Sequence, residues 1–378
     1  MRSASRSTSV KQHSPMEKAS YQSENTSAEI APGVGTSAEP GQDDRLYFIV
    51  GNSRSGTTMM MRIINNHPEL HALSELHFFE QLWSPADADK VIPAEEAEQL
   101  ADRLLHVSRE GYLTKIVKGK YLHEAKTMVA GMEGPIHGQD VFKAVAFLET
   151  HKAGKTIPCE KTPQNVFYIE EILNLYPNAR VLNMVRDPRG VLLSQKRKWK
   201  RRKMGAHFIT WKEATRLRIN YHPFTISRLW NSSIGASMKH KDHPQVHTVH
   251  FEDIINDGES TIRRICEFFG VDFHPNMLEV PHLGSSNEVD DPTKTGIKKD
   301  RAGNWRKGGL TQEEIWFCQH VAGKYMVPMN YELIETKSNP LVIAWYWLIW
   351  PFKIALAILV NLNRMKSITD TIKRRLVG

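Results

Sequence analysis

Anion-binding chemistry is indicated by the stretch 51–58, which reads Gly-Asn-Ser-Arg-Ser-Gly-Thr-Thr. An apolar run ends directly before it at Val50, and apolar residues at helical spacing follow it. We therefore predict a buried strand, a glycine loop and a helix in succession. Loop amides and the N-terminus of a helix together favour a negatively charged ligand. The alternative is an ordinary turn rich in glycine and serine.

The 51–58 loop lacks a lysine that a related kind of site requires. Nucleoside triphosphatases carry Lys followed by Ser or Thr where this chain has Thr57 and Thr58, and that lysine reaches the terminal phosphates. Arg54 supplies a cation from inside the loop instead. The loop therefore predicts a phosphate site that differs from the site of a nucleoside triphosphatase.

A second pair of anion-binding groups follows a buried strand predicted over 180–185. Arg186 comes directly after this strand, and Asp187 with Pro188 predicts the start of a helix. Ser194 then lies two turns along that helix. A guanidinium fork and a hydroxyl at this spacing can hold one phosphate. The alternative is an arginine–aspartate pair at a strand end.

Glu75 is the candidate for proton transfer, and Lys161 is a candidate cation at the sheet edge. Glu75 lies among apolar residues, so we expect burial to raise its pKa and to make it a usable proton acceptor. These residues alone favour the alternative, a solvated glutamate on a helix surface or a partner of a helix N-cap. Lys161 follows a short predicted strand, and ligands of open α/β sheets bind at that edge. An exposed loop lysine is the alternative there.

Two basic segments add further cations. The run 196–203 is basic except for Trp199, and such a run is usually a solvated face or a flexible loop. Beside an anion site it also suits an acidic acceptor or anionic lipid. No RNA- or DNA-binding module accompanies it, so we expect no nucleic-acid partner. The glycine-rich loop 300–309 places Trp305 among cations, which suits closure over a nucleotide; a plain surface loop is the alternative.

The composition sets the size and class of the fold. The chain has 378 residues, of which 40% are apolar, enough for one large α/β domain or two smaller ones. A net charge of +8 indicates an anionic ligand, nucleic acid or a membrane surface as partner. Three scattered cysteines argue against a disulfide framework or a metal cluster and fit a reducing compartment. We expect no secretory signal, because the N-terminal stretch has no apolar core.

These elements predict an α/β fold. We expect a P-loop-type three-layer domain over residues 45–335, in which a central parallel sheet is flanked by helices. Residues 1–44 are poor in large apolar side chains and are predicted to be disordered. Residues 336–378 are predicted to form an apolar and basic helical tail.

The tail is apolar from Leu341 to Leu362, which is long enough to cross a bilayer. Pro351 and Lys353 interrupt it near the middle, and its tryptophans and following cations resemble interfacial anchoring. We therefore predict a membrane-contacting helical pair, with packing on the domain or on a second subunit as the alternative. We expect a cytoplasmic location, with membrane association and homo-oligomer formation left open.

A family resemblance joins these elements. The 51–58 loop, the Lys161-Thr162-Pro163 element, Arg186 with Ser194 and the 303–307 loop follow one another as in sulfotransferases that use 3′-phosphoadenosine 5′-phosphosulfate (PAPS). The chain resembles that superfamily over about residues 45–335, and it is closer to the bacterial and tyrosylprotein-type branch than to the cytosolic aryl and steroid enzymes. The resemblance implies PAPS as sulfuryl donor, 3′,5′-adenosine bisphosphate (PAP) as product, and no metal.

The resemblance also implies roles for individual residues. The 5′-phosphosulfate would be held by Arg54, Ser55, Gly56, Thr57 and Thr58. The 3′-phosphate would be held by Arg186 and Ser194, and the nucleotide would be covered by Trp305, Arg306 and Lys307. Glu75 would take the proton of the acceptor hydroxyl during in-line displacement, while Lys161 and Arg54 stabilise the transferring group.

The acceptor and two other functions stay open from the sequence. The acceptor hydroxyl belongs to a carbohydrate, a lipid, a small alcohol or a protein tyrosine. One alternative function is a P-loop kinase of small molecules or nucleotides, which the missing lysine argues against. The other is a non-catalytic protein that binds anions or lipid through the basic run and the tail.

Overall fold

The computed structural model describes residues 44–112, 114–204, 209–284, 286, 289–298 and 302–361. The segment predicted to be disordered lies outside these residues except for Asp44, and so does the tail beyond 361. The strands are β1 (Tyr47–Gly51), β2 (Leu70–Leu73), β3 (Ile157–Glu160), β4 (Arg180–Val185) and β5 (Val246–His250). The helices are α1 (Thr57–Asn65), α2 (Phe78–Gln81), α3 (Ala94–Glu110), α4 (Leu122–Ala130), α5 (Gly138–Lys152), α6 (Ile169–Leu175), α7 (Pro188–Arg197), α8 (Trp211–Ile219), α9 (Pro223–Met238), α10 (Phe251–Asn256), α11 (Gly258–Phe269), α12 (Gln312–Met326) and α13 (Pro340–Leu359).

The five strands form one sheet in the order β2-β3-β1-β4-β5, and every pair is parallel. Parallel neighbours require crossover connections, and these connections carry the helices onto the faces of the sheet. All strands therefore end at the same edge. The chain leaves β1, β2, β3 and β4 there in four loops that lie next to one another.

Alternate residues of the central strand β1 face two different cores. Phe48 and Val50 pack into a cluster with side chains of α3, α5 and α6, whereas Tyr47 and Ile49 pack into a cluster with α1 and α11. Every residue of β1 is buried, which explains its continuous apolar run. The predicted three-layer α/β fold with a central parallel sheet is confirmed.

The C-terminal tail corrects one prediction. We expected Pro351 to divide the apolar stretch into a helical pair, but α13 continues through it. A proline inside a helix removes one hydrogen bond, and packing of neighbouring aromatic rings compensates, since Trp350 lies 4.7 Å from Phe224 between ring centroids. Among the described residues, α13 is the helix that is long and apolar enough to cross a membrane, judged by length and composition.

Candidate active site at the carboxyl edge of the sheet

The loops at this edge carry four of the predicted site residues in a row. Following the strand order, β2 leads to Glu75, β3 to Lys161, β1 to Arg54 and β4 to Arg186. Ligands of open parallel sheets bind at this edge because loops of neighbouring strands converge there. The structure thus brings residues that are far apart in sequence to one place.

Two glycines shape the 51–58 loop. Gly51 has a φ of 137°, and a Cβ there would lie 2.3 Å from the carbonyl oxygen of Met184 on β4. Gly56 has a φ of 97° at the start of α1, and a Cβ there would lie 2.5 Å from the ring of Phe251. Both positions require glycine for the backbone angle and for the close approach.

The loop also presents a buried polar atom and a strained backbone. Ser55 is fully buried, and its Oγ has no hydrogen-bond partner among the described residues. Arg54 has a φ of 74°, which is uncommon for a residue other than glycine and costs conformational free energy. Thr57 and Thr58 open α1, the first buried and the second exposed. A bound anion would supply the missing partner of Ser55.

The side chain of Arg54 connects the loop to α7. Its Nε donates to Ser194 Oγ at 2.9 Å, and its Nη2 donates to Ser286 Oγ at 2.8 Å and to the Gly284 carbonyl at 3.3 Å. Burial and the neighbouring cations lower the pKa of Arg54 to about 10, so it is still charged at neutral pH. Sequence reasoning missed Ser286, because no local signal indicates a contact from the far end of the domain.

Arg186 lies beside this group. Its Nη1 donates to the Arg54 carbonyl at 3.3 Å, and its guanidinium lies 4.1 Å from the ring centroid of Phe251. Trp230 Nε1 donates to the Arg186 carbonyl at 2.9 Å and fixes the backbone. The two predicted phosphate-binding groups, one on the 51–58 loop and one on Arg186 and Ser194, are therefore adjacent.

Glu75 and Lys161 form an ion pair on the other side of β1. Lys161 Nζ donates to Glu75 Oε1 at 2.7 Å, and His77 Nε2 lies 3.3 Å from Glu75 Oε2 in a charge contact that lacks hydrogen-bond alignment. The other ring nitrogen of His77 contacts Glu80. The Glu75 side chain is 37% exposed, so a ligand can reach it, whereas Lys161 is buried.

The predicted direction of the Glu75 pKa was wrong. Burial alone would raise this pKa, but His77 and Lys161 outweigh it and lower the value to about 2. In turn, burial opposes the charge on His77, but Glu75 and Glu80 raise its pKa to about 9. Glu75 is therefore ionised at neutral pH and able to accept a proton, although its basicity is weakened by its partners.

Glu160 is a buried carboxylate to which sequence reasoning gave no role. It accepts hydrogen bonds from the Leu76 amide at 3.1 Å, from Asn165 Nδ2 at 2.8 Å and from Thr162 Oγ1. The His77 amide also donates to Thr162 Oγ1 at 3.3 Å. Glu160 thus ties the loop of Glu75 to the loop of Lys161. Burial raises the pKa of Glu160 to about 7. The sequence feature that could have pointed to Glu160 is its position directly before Lys161.

The basic run is built into the fold instead of forming a separate loop. Lys196 Nζ donates to Glu314 Oε2 at 2.7 Å, and Arg201 lies 3.6 Å from Asp290. Lys198 lies near the site, where burial and the charge of Arg54 lower its pKa to about 8. The site therefore contains a further cation that the pattern alone did not single out.

The 302–309 loop places its tryptophan inside the protein. Trp305 is buried, its indole N–H donates to Asp187 Oδ2 at 3.0 Å, and Arg189 lies 4.0 Å from its ring centroid. Arg306 and Lys307 are exposed. The contacts of Trp305 fix the 302–309 loop against the start of α7. Contact of Trp305, Arg306 and Lys307 with a nucleotide stays a prediction. Within the described residues, no cluster of three or more His, Cys, Asp or Glu side chains could hold a metal ion.

Comparisons with known proteins identify the family of the chain. A family model described as the sulfotransferase family matches residues 47–275. A "Putative protein-tyrosine sulfotransferase" of Caenorhabditis briggsae is 23% identical over 257 residues, which are 66% of this chain and 74% of that protein.

Two solved structures illustrate the likeness. The sulfotransferase domain from the curacin biosynthetic pathway is 18% identical, with a TM-score of 0.47 over 78% of this chain and 100% of that one. The mouse sulfotransferase SULT7A1 in complex with PAP is 11% identical, with a TM-score of 0.38 over 75% and 85%. The family model covers more than half of the chain, from β1 past α11, and the chain belongs to the sulfotransferase family.

Proposed function

We propose that the protein transfers the sulfuryl group of PAPS to a hydroxyl acceptor. The observation that carries this proposal is the shared sheet edge, where the Glu75–Lys161 pair lies beside the 51–58 loop and Arg186. One half of the edge offers cations and a buried unpaired hydroxyl to an anion. The other half offers an ionised carboxylate next to a buried cation.

The donor would be held at two points. The 51–58 loop, with Arg54, Ser55, Gly56, Thr57 and Thr58, supplies a helix N-terminus and a cation for the 5′-phosphosulfate. Arg186 and Ser194 supply a guanidinium and a hydroxyl for the 3′-phosphate. Ser194 Oγ accepts a hydrogen bond from Arg54, which leaves its own O–H to donate to a phosphate oxygen.

The transfer step is a single displacement. The acceptor oxygen bonds to sulfur as the bond between sulfur and the 5′-phosphate oxygen breaks, and PAP leaves with that electron pair. Glu75 takes the proton of the acceptor hydroxyl. Lys161 and Arg54 stabilise oxygens that gain negative charge, and cations fixed before the reaction do so without reorganisation.

Lys161 has a double role in this proposal. In the structure it neutralises Glu75 and weakens that carboxylate as a base. If Lys161 turns to the transferring group as charge develops there, Glu75 loses a partner and its proton affinity rises. The movement of Lys161 from Glu75 to the transferring group therefore couples stabilisation of the developing charge to proton transfer by Glu75.

The proposal requires only a hydroxyl from the acceptor. The name of the C. briggsae relative indicates a protein tyrosine, and hydroxyls of carbohydrates, lipids and small alcohols meet the same requirement. A cytoplasmic location likewise stays a prediction.

Thermal-shift titration tests the choice of nucleotide. PAP at about a hundred times its dissociation constant should raise the melting temperature by roughly 3–6 °C. ATP with Mg²⁺ should have little effect, because the loop lacks the lysine that reaches a terminal phosphate. Stabilisation by ATP with Mg²⁺ but not by PAP would contradict the proposal, and so would the absence of a response to both.

A further inference from the structure

The outward face of α13 is an apolar surface that the candidate active site does not use. Six large apolar side chains line it at helical spacing, and their exposed fractions range from 43% to 80%. This outer stripe consists of Leu341, Trp345, Leu348, Phe352, Leu356 and Leu359. A contiguous exposed apolar surface of this kind marks a contact with a protein or a membrane.

The opposite face of α13 is packed on the domain. Trp350 packs on the ring of Phe224, and its Nε1 donates to Thr225 Oγ1 at 3.1 Å. Directly after the helix, Asn361 Nδ2 donates to Asn220 Oδ1 at 2.8 Å. A helix that makes these contacts with a polar domain cannot be surrounded by hydrocarbon over the same stretch. This packing favours a helix that lies along the domain over one that crosses a bilayer, although the length of α13 would allow a crossing.

Cations lie on two elements close to α13. Helix α8 packs against α13, and the 3₁₀ turn before α8 continues the basic run. From position 196 to 218 the chain has Glu213 as its sole acidic residue, and that carboxylate is paired with Arg216. The exposed cations of these two elements are Lys200, Lys203, Lys212 and Arg218.

We propose that α13 docks in the plane of an anionic lipid surface. The outer stripe would enter the boundary between headgroups and acyl chains, where apolar burial provides the affinity. The exposed cations of α8 and of the 3₁₀ turn before it would lie over the headgroups, where they attract anionic lipid. A second copy of the chain is the competing occupant, but it carries the same net charge of +8, whereas an anionic lipid surface complements the charge of this region.

Vesicle flotation of the full-length protein tests this docking. The wild type should float with vesicles of phosphatidylcholine and phosphatidylglycerol, and less with phosphatidylcholine alone. The double variant Leu348→Glu, Phe352→Glu should reduce the partition coefficient by roughly a hundredfold or more, because two apolar side chains no longer enter the lipid. Val91→Glu is the matched control, since Val91 is 57% exposed on a different part of the domain, and it should float like the wild type.

The response to PAP separates docking from sulfuryl transfer. Each variant should keep the thermal shift with PAP, which shows that it is folded. A wild type that responds to PAP yet floats with neither vesicle overturns the docking proposal, as does unchanged flotation of the double variant. A dimer that dissociates in the double variant, without flotation of the wild type, would assign the outer stripe to a second copy instead.

Thiol labelling on sealed vesicles distinguishes in-plane docking from a membrane span. The three native cysteines are buried, so an impermeant maleimide reports on introduced ones. Lys337→Cys precedes α13 and Gly378→Cys follows it. Both should react from outside the vesicles. Protection of one of them until the vesicles are opened with detergent would show a span and overturn the proposal.

Discussion

The two halves of the sheet edge differ in the partners of their positively charged side chains. At the β1 and β4 half, Arg54 donates to the hydroxyls of Ser194 and Ser286 and to a carbonyl, and none of these groups is negatively charged. At the β2 and β3 half, Lys161 is paired with Glu75 at 2.7 Å. Arg54 therefore keeps its positive charge available to an anion, whereas Lys161 and Glu75 balance each other's charge.

On the basis of this difference we propose different tasks for the two halves. A cation whose partners are neutral can bind a phosphate without first giving up an ion pair. In the Glu75–Lys161 pair each charge is neutralised by the other, so either side chain can interact with a ligand only when it leaves its partner. Such an exchange suits the transfer step, in which negative charge develops on the transferring group. We therefore regard the β1 and β4 half as the binding half and the β2 and β3 half as the transfer half. Variants of each should affect binding and turnover separately.

The largest effect is expected for Glu75→Gln in the transfer half. The amide cannot accept the proton of the acceptor, so turnover should fall by roughly 10²–10⁴-fold. PAP affinity should change little, because Glu75 is not in the binding half. Sulfuryl transfer from labelled PAPS and calorimetric titration with PAP measure the two quantities. Glu80→Gln is the matched control, since it removes the other carboxylate of His77 and leaves the proposed base.

The result for this pair of variants is decisive for the role of Glu75. Unchanged turnover of Glu75→Gln would remove it as the base. Equal losses in both variants would show that the carboxylates act through His77 alone.

A smaller effect is expected for Arg186→Ala in the binding half. Loss of a charge-assisted hydrogen bond to the 3′-phosphate should weaken PAP by roughly ten- to hundredfold. Adenosine 5′-monophosphate, which lacks that phosphate, should lose much less affinity. Calorimetric titration of wild type and variant with both nucleotides gives the comparison. Equal losses for the two nucleotides would mean that Arg186 only supports the fold.

The smallest effect concerns the pH dependence of stability in the transfer half. Although burial opposes it, Glu75 and Glu80 raise the pKa of His77 to about 9, compared with about 6.5 in an unfolded chain. The protonated ring therefore stabilises the fold fully below about pH 6.5, and this contribution is lost as the pH rises through about 9. The free energy of unfolding should fall by roughly 1–3 kcal/mol across that window. Urea unfolding at a series of pH values measures it.

His77→Asn should abolish this fall, and His71→Asn provides the control. Burial lowers the pKa of His71 to about 4, so its titration lies below the window and its variant should keep the fall. Because Lys198 also titrates near pH 8 and acts in the opposite direction, the comparison with the variant decides. The same pH dependence in the wild type and in His77→Asn from pH 6.5 to 9 would refute the raised pKa of His77.

Much of the fold was predictable because its signals are local. The apolar run ending at Val50 and the glycines at 51 and 56 lie within one strand–loop–helix unit, so strand, loop and helix could be placed from spacing alone. The strand directly before Arg186 was predicted from an equally clear local pattern. These two units position the binding half, and for that reason Arg54, Arg186 and Ser194 could be proposed for it from the sequence, whereas Ser286 could not.

The transfer half was harder to predict because its properties depend on distant contacts. The pKa of Glu75 is lowered by His77, which is close in sequence, and by Lys161, which lies 86 residues away and could not be paired with Glu75 from the sequence. Ser286 reaches Arg54 from 232 residues away. The continuity of α13 through Pro351 similarly depends on packing against α9. No local pattern contains such information.

The proposed site can be tested by a crystal structure of the complex with PAP. We expect the 3′-phosphate to lie within hydrogen-bond distance of Arg186 and Ser194 Oγ, and the 5′-phosphate to lie on the 51–58 loop with Glu75 and Lys161 beside it. PAP bound away from this edge, or with neither phosphate in contact with Arg186 and Ser194, would contradict it.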